Sequence, residues 1–247
     1  AMMTKAGAQG MHSFNPDKRH LLFSRASFIG AHRDGGVWQG DNFSWWSHIL
    51  LNMRELAGMN MCGFLYTGAD IGGFNGDTTE DLLLRWLQLG VFTPLMRNHA
   101  ALGTRDQEIY RFRNWEQMRD TLTVRYALIP FLYSELVKAA MKDDMLFRPL
   151  AFDYPADKRA CRVEDQLMLA GSCMIAPVYE QNARGRYVYL PEDMLMVKFR
   201  AADDYDCIPM EKGNHWIDLK MNEFPLFVKK GQVIPLANGA ECVAQVD

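Results

Sequence analysis

The sequence predicts an α/β segment followed by an all-β segment. In roughly the first 150 residues, short apolar runs alternate with glycine-rich loops and with stretches whose apolar residues recur at helical spacing. Beyond Phe147, proline and glycine interrupt short alternating or β-rich runs, which is the pattern of a β-sandwich. We therefore expect two domains, residues 1–150 and residues 151–247.

The first unit is a strand, a loop and a helix. Residues 21–29 form an apolar run that ends in a glycine-containing loop, as a buried strand does. After the Gly-Asp-Asn turn at 40–42, apolar residues recur at helical spacing from Trp46, and we expect this helix to end at Gly58.

The same order then repeats. Residues 61–67 are strand-like, residues 68–76 are a glycine-rich loop, and residues 78–81 open a second amphipathic helix. Residues 91–96 predict another strand, which a polar Arg-Asn-His sequence ends. Polar residues gather in the loops after the strands, and this indicates an α/β barrel with its chemistry at the carboxyl ends of the strands. These units amount to about half of an eight-fold barrel.

The rest of the chain carries a long helical stretch and then β-structure. Residues 115–141 have helical spacing, and we expect Pro130 to end one helix and begin another. The β-rich runs that follow predict strands at residues 148–152, 173–178, 186–190, 215–219 and 226–228.

Charge and composition exclude several classes of partner. The formal charge is −3 and there is no dense run of lysine or arginine, so neither nucleic acid nor an anionic membrane surface is expected. No apolar stretch approaches the roughly 20 residues of a membrane helix. The five cysteines form no CxxC pair, which predicts no metal site and weakly favours the cytoplasm. The composition is compatible with a homo-oligomer.

Asp41 is the candidate for acid chemistry. It lies within an aromatic cluster that includes Trp38, Phe43 and Trp45, and neighbouring indole surface favours a protonated carboxyl that can donate to a leaving group. Taken alone, an Asp in a Gly-Asp-Asn turn is more often a helix cap than a catalytic residue. Arg25 interrupts an apolar strand and therefore needs a carboxylate or a ligand, although a purely structural ion pair would also satisfy it.

Four motifs occur in order: residues 23–28, Gly40-Asp41-Asn42 with Trp45-Trp46, residues 68–74, and Arg97-Asn98-His99. With similar runs farther along, they closely resemble family 31 glycoside hydrolases, the α-glucosidase and α-xylosidase group. The resemblance implies the C-terminal half of a (β/α)8 TIM barrel followed by a C-terminal β-sandwich domain. It also implies retaining hydrolysis by two carboxylates, with no cofactor and no metal.

By this resemblance Asp41 matches the general acid/base. Arg25 would contact sugar hydroxyls and the active-site carboxylates, and His99 would hydrogen-bond ring hydroxyls. Without the resemblance, a lone histidine is more often a satisfied structural residue.

Three further residues are expected to bind substrate. Trp38 and Phe74 resemble the aromatic walls of the sugar subsite, although each alone is more often a core residue. Asp70 resembles a residue at the rim of the site, while its position between a strand and two glycines equally suits a turn.

The family's nucleophile lies in a Trp-x-Asp-Met-Asn-Glu type motif, and this chain contains no such motif. We therefore expect the chain to be the C-terminal portion of a larger α-glycosidase whose N-terminal half carries the nucleophile. The expected function is an exo-acting α-glucosidase on gluco-oligosaccharides. An α-xylosidase, a transglycosylase and a catalytically silent carbohydrate-binding protein are the alternatives.

Overall fold

A computed structural model describes residues 2–237. The first part of the chain alternates helices with very short strands. In chain order these are α1 (Met2–Phe14), β1 (Phe23–Ser24), β2 (Gly36–Val37), α2 (Trp46–Met61), β3 (Asp70–Ile71), α3 (Glu80–Gly90), β4 (Arg97–Asn98) and α4 (Trp115–Met141).

The short strands belong to four parallel segments that run side by side. β1 pairs with β2 and β3 pairs with β4, both in parallel register. Between the two pairs, the Val37 N–H donates to the Tyr66 carbonyl over 3.2 Å, and the Gln39 N–H donates to the Gly68 carbonyl over 3.0 Å. Just before the β3–β4 pair, the Leu95 N–H donates to the Thr67 carbonyl over 3.2 Å. A Cβ at position 68 would collide with the Leu95 carbonyl oxygen, so this approach requires glycine. The arrangement agrees with the predicted half barrel.

Helix α2 is longer than its sequence pattern indicates. It passes through Gly58 and ends at Met61, so the strand predicted from residue 61 begins too early. The stop signal is Gly63, whose φ of 86° lets the Phe64 N–H reach back to the Met59 carbonyl at 3.0 Å. Phe64 also packs against Met59, which completes a Schellman motif.

The strand predicted at residues 91–96 is also wrong. This segment continues helix α3 as a series of turns, because the Thr93 hydroxyl donates to the Leu95 carbonyl at 2.7 Å and also lies 3.0 Å from the Gly90 carbonyl oxygen. Strand β4 starts only at Arg97. The side chains at residues 97–99 therefore lie on and just after a strand, at the expected edge of the barrel.

Pro130 does not end a helix, contrary to expectation. Helix α4 continues through it from Trp115 to Met141. A proline in a helix loses one backbone hydrogen bond and disturbs the carbonyls one turn before it. The acceptor that loses its helical donor to Pro130 is the Tyr126 carbonyl. The neighbouring Ala127 carbonyl accepts a hydrogen bond of 2.9 Å from the Ala237 N–H.

The second part of the chain is the expected β-sandwich. Its elements are β5 (Phe147–Pro149), α5 (Leu150–Asp153), β6 (Leu167–Leu169), β7 (Cys173–Ile175), β8 (Gly185–Leu190), β9 (Met194–Phe199), β10 (Tyr205–Met210), β11 (Gly213–Asp218) and β12 (Phe224–Lys229). Six of these strands form an antiparallel sheet in the order β10-β9-β12-β7-β6-β5, and β8 pairs with β11 in a second, two-stranded sheet.

The six-stranded sheet buries both of its faces. Leu226 and Val228 on β12 join a core with residues of helices α2, α3 and α4, whereas Phe227 between them joins a second core with residues of β8 and β11. The same alternation holds on β6, where Met168 points away from the helices. The period of two along a strand therefore makes this sheet the middle of three layers.

Helix α3 is also fixed to the turn between β11 and β12. Arg85 is 1% exposed and donates hydrogen bonds of 3.2 and 2.9 Å to the carbonyls of Leu219 and Glu223. Gln88, one turn later, donates to the Met221 carbonyl at 2.8 Å. Burial lowers the pKa of Arg85 to about 10, so the guanidinium stays charged at neutral pH. These bonds hold the sandwich in one position against the barrel helices.

Candidate active site

Asp41 lies in the loop that follows β2, at the carboxyl end of a barrel strand. Its side chain is 32% exposed, and its Oδ2 accepts a hydrogen bond of 2.8 Å from Nη2 of Arg25. Arg25 directly follows β1 and its side chain is 69% exposed. Two neighbouring parallel strands thus bring together the carboxylate and the guanidinium that the sequence singled out.

Asp70 begins β3 and is paired with Arg97 on β4. Its side chain is 1% exposed, and its Oδ1 accepts a hydrogen bond of 2.9 Å from Nε of Arg97 and a second one from Nη2. The other oxygen, Oδ2, is buried without a partner among the described residues. Asp70 is therefore placed to hold Arg97, and its predicted contact with substrate stays a prediction.

The environment of Asp70 makes its carboxyl a weaker acid than usual. Burial raises the pKa of Asp70, and the hydrogen bonds and charge of Arg97 oppose this effect without cancelling it. His99 also lowers the pKa of Asp70 and Asp41 raises it, both through their charges. The charges of Arg97, His99 and Asp41 therefore all act on the protonation of Asp70.

The raised pKa of Asp70 predicts a pH-dependent stability. Because the folded state binds this proton more tightly than the unfolded chain, stability should fall as the pH rises from 3.8, the ordinary value, through the raised pKa. Asp70→Asn should flatten that decline, since asparagine does not titrate. The measurement is the midpoint of thermal unfolding against pH. Asp106→Asn, an equal charge change at an exposed carboxylate, serves as control, and identical slopes in all three proteins would refute the assignment.

Trp38 lies close to two cationic groups. The guanidinium carbons of Arg25 and Arg97 are 5.7 and 5.5 Å from its ring centroid. Phe23 packs against the same indole at 5.2 Å between centroids. Cation–π attraction and aromatic packing hold these side chains around one half-buried ring.

Phe74 and His99 form a second group. Their rings stack at 5.2 Å between centroids with an interplanar angle of 29°. Phe74 is half-buried and His99 is exposed. The stack therefore offers an aromatic surface beside a ring that carries hydrogen-bonding nitrogens.

Asn42 joins the two groups, a role that sequence reasoning missed. It is buried, its amide donates to the Asp70 carbonyl at 2.9 Å and to Oδ1 of Asn52 at 3.0 Å, and its Oδ1 accepts from the Phe74 N–H at 2.9 Å. Its place beside Asp41 in the Gly-Asp-Asn motif was the available signal. Asn42 thereby fixes the position of the Asp41 loop relative to β3.

Gln107 plays a similar part at the ends of β3 and β4. Its buried Nε2 lies 3.1 Å from the Ile71 carbonyl oxygen, 2.8 Å from Oδ1 of Asn98 and 3.2 Å from the His99 carbonyl oxygen. No sequence pattern pointed to Gln107, since its partners come from two other segments, residues 71–73 and 98–99. Arg97 belongs to the Arg-Asn-His motif, but no sequence pattern indicates its pairing with Asp70.

Among the predicted site residues, Arg25, Asp41 and His99 are exposed, Trp38 and Phe74 are half-buried, and Asp70 is buried. A cavity of about 900 Å³ lies elsewhere, lined by residues such as His32, Asn60, Tyr66 and Phe152, and none of the predicted site residues lines it. Within residues 2–237, no group of three or more His, Cys, Asp or Glu side chains is arranged to hold a metal ion. In the same range, no helix combines the length and the apolar character that crossing a membrane requires.

Barrel strands that end in acidic, basic and aromatic side chains, with a β-sandwich packed on the barrel helices, define the class of barrel-type glycoside hydrolases. The chain belongs to glycosyl hydrolase family 31. The family's TIM-barrel domain matches residues 1–135, and its C-terminal domain matches residues 143–234.

Curated relatives and solved structures are similar to this chain. Alpha-glucosidase 2 of Bacillus thermoamyloliquefaciens is 33% identical over 96% of the chain, and the lysosomal alpha-glucosidase of Rattus norvegicus is 36% identical over 88%. A Flavobacterium johnsoniae family 31 dextranase complexed with glucose superposes with a TM-score of 0.83 at 29% identity over 95% of the chain. The chain spans 30%, 25% and 30% of the lengths of these three proteins.

Proposed function

We propose that this chain is part of a retaining α-glycosidase, specifically an exo-acting α-glucosidase that removes terminal α-linked glucose from oligosaccharides. The observation that carries the proposal is the position of Asp41, a solvent-accessible carboxylate at the end of a barrel strand, bonded to Arg25. The names of the relatives, among them alpha-glucosidases and a dextranase, support the substrate class.

In this proposal Asp41 is the general acid/base. Its carboxyl donates a proton to the glycosidic oxygen as the bond to the anomeric carbon breaks, and its carboxylate later accepts a proton from the attacking water. Arg25 stabilises the carboxylate that remains after the first transfer, since its Nη2 lies 2.8 Å from Oδ2. The capping alternative for Asp41 loses support, because no side-chain cap bond is present at the start of α2.

The second carboxylate belongs to another part of the complete enzyme. A retaining glycosidase needs a nucleophile about 5 to 5.5 Å from the acid. Asp70 is a poor candidate for this role, because it is buried and both of its observed hydrogen bonds come from Arg97. We therefore infer that the N-terminal half of the same enzyme supplies the nucleophile as the partner of this chain.

The remaining predicted residues would hold the sugar. Trp38 and Phe74 provide flat apolar surfaces against which the C–H edges of a pyranose can pack. The exposed imidazole of His99, oriented by its stack on Phe74, can bond ring hydroxyls. Asp70 would act on the substrate through Arg97, whose position it fixes.

The test is the stereochemistry of hydrolysis by the complete polypeptide. With maltotriose as substrate, proton NMR should show α-glucose as the first product, released one unit at a time. Initial β-glucose would contradict the retaining mechanism. Binding of maltotriose by calorimetry without any turnover would instead support the silent carbohydrate-binding alternative.

A further inference from the structure

The loop that carries Asp41 continues in an alternating pattern. Asp41 and Phe43 are exposed, whereas Asn42 between them is buried. Ser44 turns inward, where its hydroxyl donates to the Gly76 carbonyl at 3.1 Å, and Trp45 is again exposed. The backbone is not extended here, because the Trp45 N–H donates to the Phe43 carbonyl over 2.7 Å and closes a tight turn at Ser44. This turn brings the rings of Phe43 and Trp45 together on the exposed face of the loop that also carries Asp41.

Phe43 and Trp45 form a flat aromatic pair on that face. Their rings stack at 4.8 Å between centroids with an interplanar angle of 24°, although 40% of Phe43 and 56% of Trp45 are exposed. Two large exposed rings in such ordered contact are not required by the core. They form a surface on which an apolar and planar partner can be placed.

His48 supports this pair from one side. Its ring meets Trp45 edge-on at 5.2 Å, and its Nδ1 accepts the Phe43 backbone N–H at 3.0 Å. An acceptor at Nδ1 requires the neutral imidazole, and burial lowers the pKa of His48 in agreement with that form. The neutral imidazole of His48 therefore makes this hydrogen bond to the Phe43 N–H at neutral pH.

The backbone of the loop is anchored as well. The Ser44 N–H donates to the Asn75 carbonyl at 2.9 Å, and Phe43 forms an isolated parallel bridge with Asn75. A Cβ on Gly73 would collide with the backbone of Ser44, so the two loops are in close contact. The aromatic pair is thus pre-organised, which lowers the entropy cost of binding.

The distance to the reaction centre suits a leaving group. Two residues of extended chain span at most about 7 Å. The Cα atom of Phe43 therefore lies within about 7 Å of the Cα atom of Asp41, the residue proposed to protonate the glycosidic oxygen. The sugar on the leaving-group side of that oxygen is the part of a substrate nearest to both Asp41 and the aromatic pair.

We propose that Phe43 and Trp45 form a binding platform for the leaving-group portion of the substrate, a chain of neutral α-linked hexopyranose units. This proposal rests on the proposed function and extends it, because it names residues that select for substrate length. The C–H faces of the sugar rings stack on the two aromatic rings while their hydroxyls stay in water. The platform contributes in the transition state by orienting the leaving group toward Asp41.

The experiment compares three substrates of the complete polypeptide. α-Glucosyl fluoride needs neither proton donation nor the platform. Methyl α-glucoside needs the proton but is too small to reach the platform, and maltotriose needs both. In Trp45→Ala and Phe43→Ala, kcat/KM for maltotriose relative to methyl α-glucoside should fall about three- to tenfold. Trp45→Tyr, which keeps a flat ring, should retain most of the ratio.

Trp216→Ala is the matched control. Trp216 is 49% exposed and packs on the exposed Tyr187 in the two-stranded sheet, so its loss removes a similar aromatic pair and should leave the ratio unchanged. An unchanged ratio in Trp45→Ala and Phe43→Ala, with or without a lower unfolding midpoint, would overturn the platform. An equal loss on methyl α-glucoside and maltotriose would overturn it too. A wild-type protein inactive on all three substrates would instead reject the proposed function itself.

Discussion

Replacing Asp41 with Asn is expected to lower kcat/KM for maltose by about 10²- to 10⁴-fold. The amide cannot donate a proton to the glycosidic oxygen, and the glucose leaving group departs slowly without one. Cleavage of α-glucosyl fluoride should be largely spared in the first step, because fluoride leaves without protonation. Steady-state and burst kinetics of the complete polypeptide on both substrates measure the difference.

Two observations make this result specific to an acid/base. Added azide should accelerate turnover of α-glucosyl fluoride by Asp41→Asn and yield α-glucosyl azide, since azide attacks the glycosyl-enzyme without base assistance. Asp34→Asn, in the preceding loop, should behave like the wild type. Equal losses on maltose and fluoride would show that Asp41 does not act as the acid.

The second large effect is on stability. Arg97→Met should lower the free energy of unfolding by about 3–5 kcal/mol, because it leaves the Asp70 carboxylate buried without its cation. The Asp70 side chain is 1% exposed, and both of its observed hydrogen bonds come from Arg97. The measurement is urea-induced unfolding of the complete polypeptide, followed by the fluorescence of its tryptophans.

Arg54→Met provides the comparison, because it breaks an exposed ion pair with Glu164 at 2.9 Å and should cost less than about 1 kcal/mol. The double variant Arg97→Met with Asp70→Asn should recover part of the loss, since the buried charge is then removed. If Arg97→Met and Arg54→Met cost the same, Asp70 is not a buried charge that depends on its partner.

Much of the architecture could be predicted because it rests on periodicity. Helical spacing located α2, α3 and α4, and β-rich runs located β8, β11 and β12. Strand boundaries in the barrel failed, since β1 to β4 are only two residues each and their limits depend on pairing with neighbours. Strand β10 was missed because it is an edge strand, mostly exposed and carrying Pro209.

Some residues of the candidate site could also be predicted from the sequence, and others could not. Asp41 could be selected from the sequence because it lies among aromatic residues, and Arg25 because a charge in an apolar run needs a partner or a ligand. His99 could be selected only through its resemblance to the family's motif. Asn42, Arg97 and Gln107 do not stand out, because their importance lies in partners that are distant along the chain. The bond from Asn42 to the Asp70 carbonyl spans 28 positions, and no local pattern encodes it.

The six-stranded sheet joins the two family domains into one hydrophobic core. The two family domains match residues 1–135 and 143–234 separately. Yet Leu226 and Phe131 belong to one core, and Phe92 touches Phe224 at 6.1 Å between ring centroids. A chain divided between the modules would leave the helices without the surface they pack on and the sheet with one apolar face in water. Because the two segments share one core, we expect neither of them to fold stably without the other.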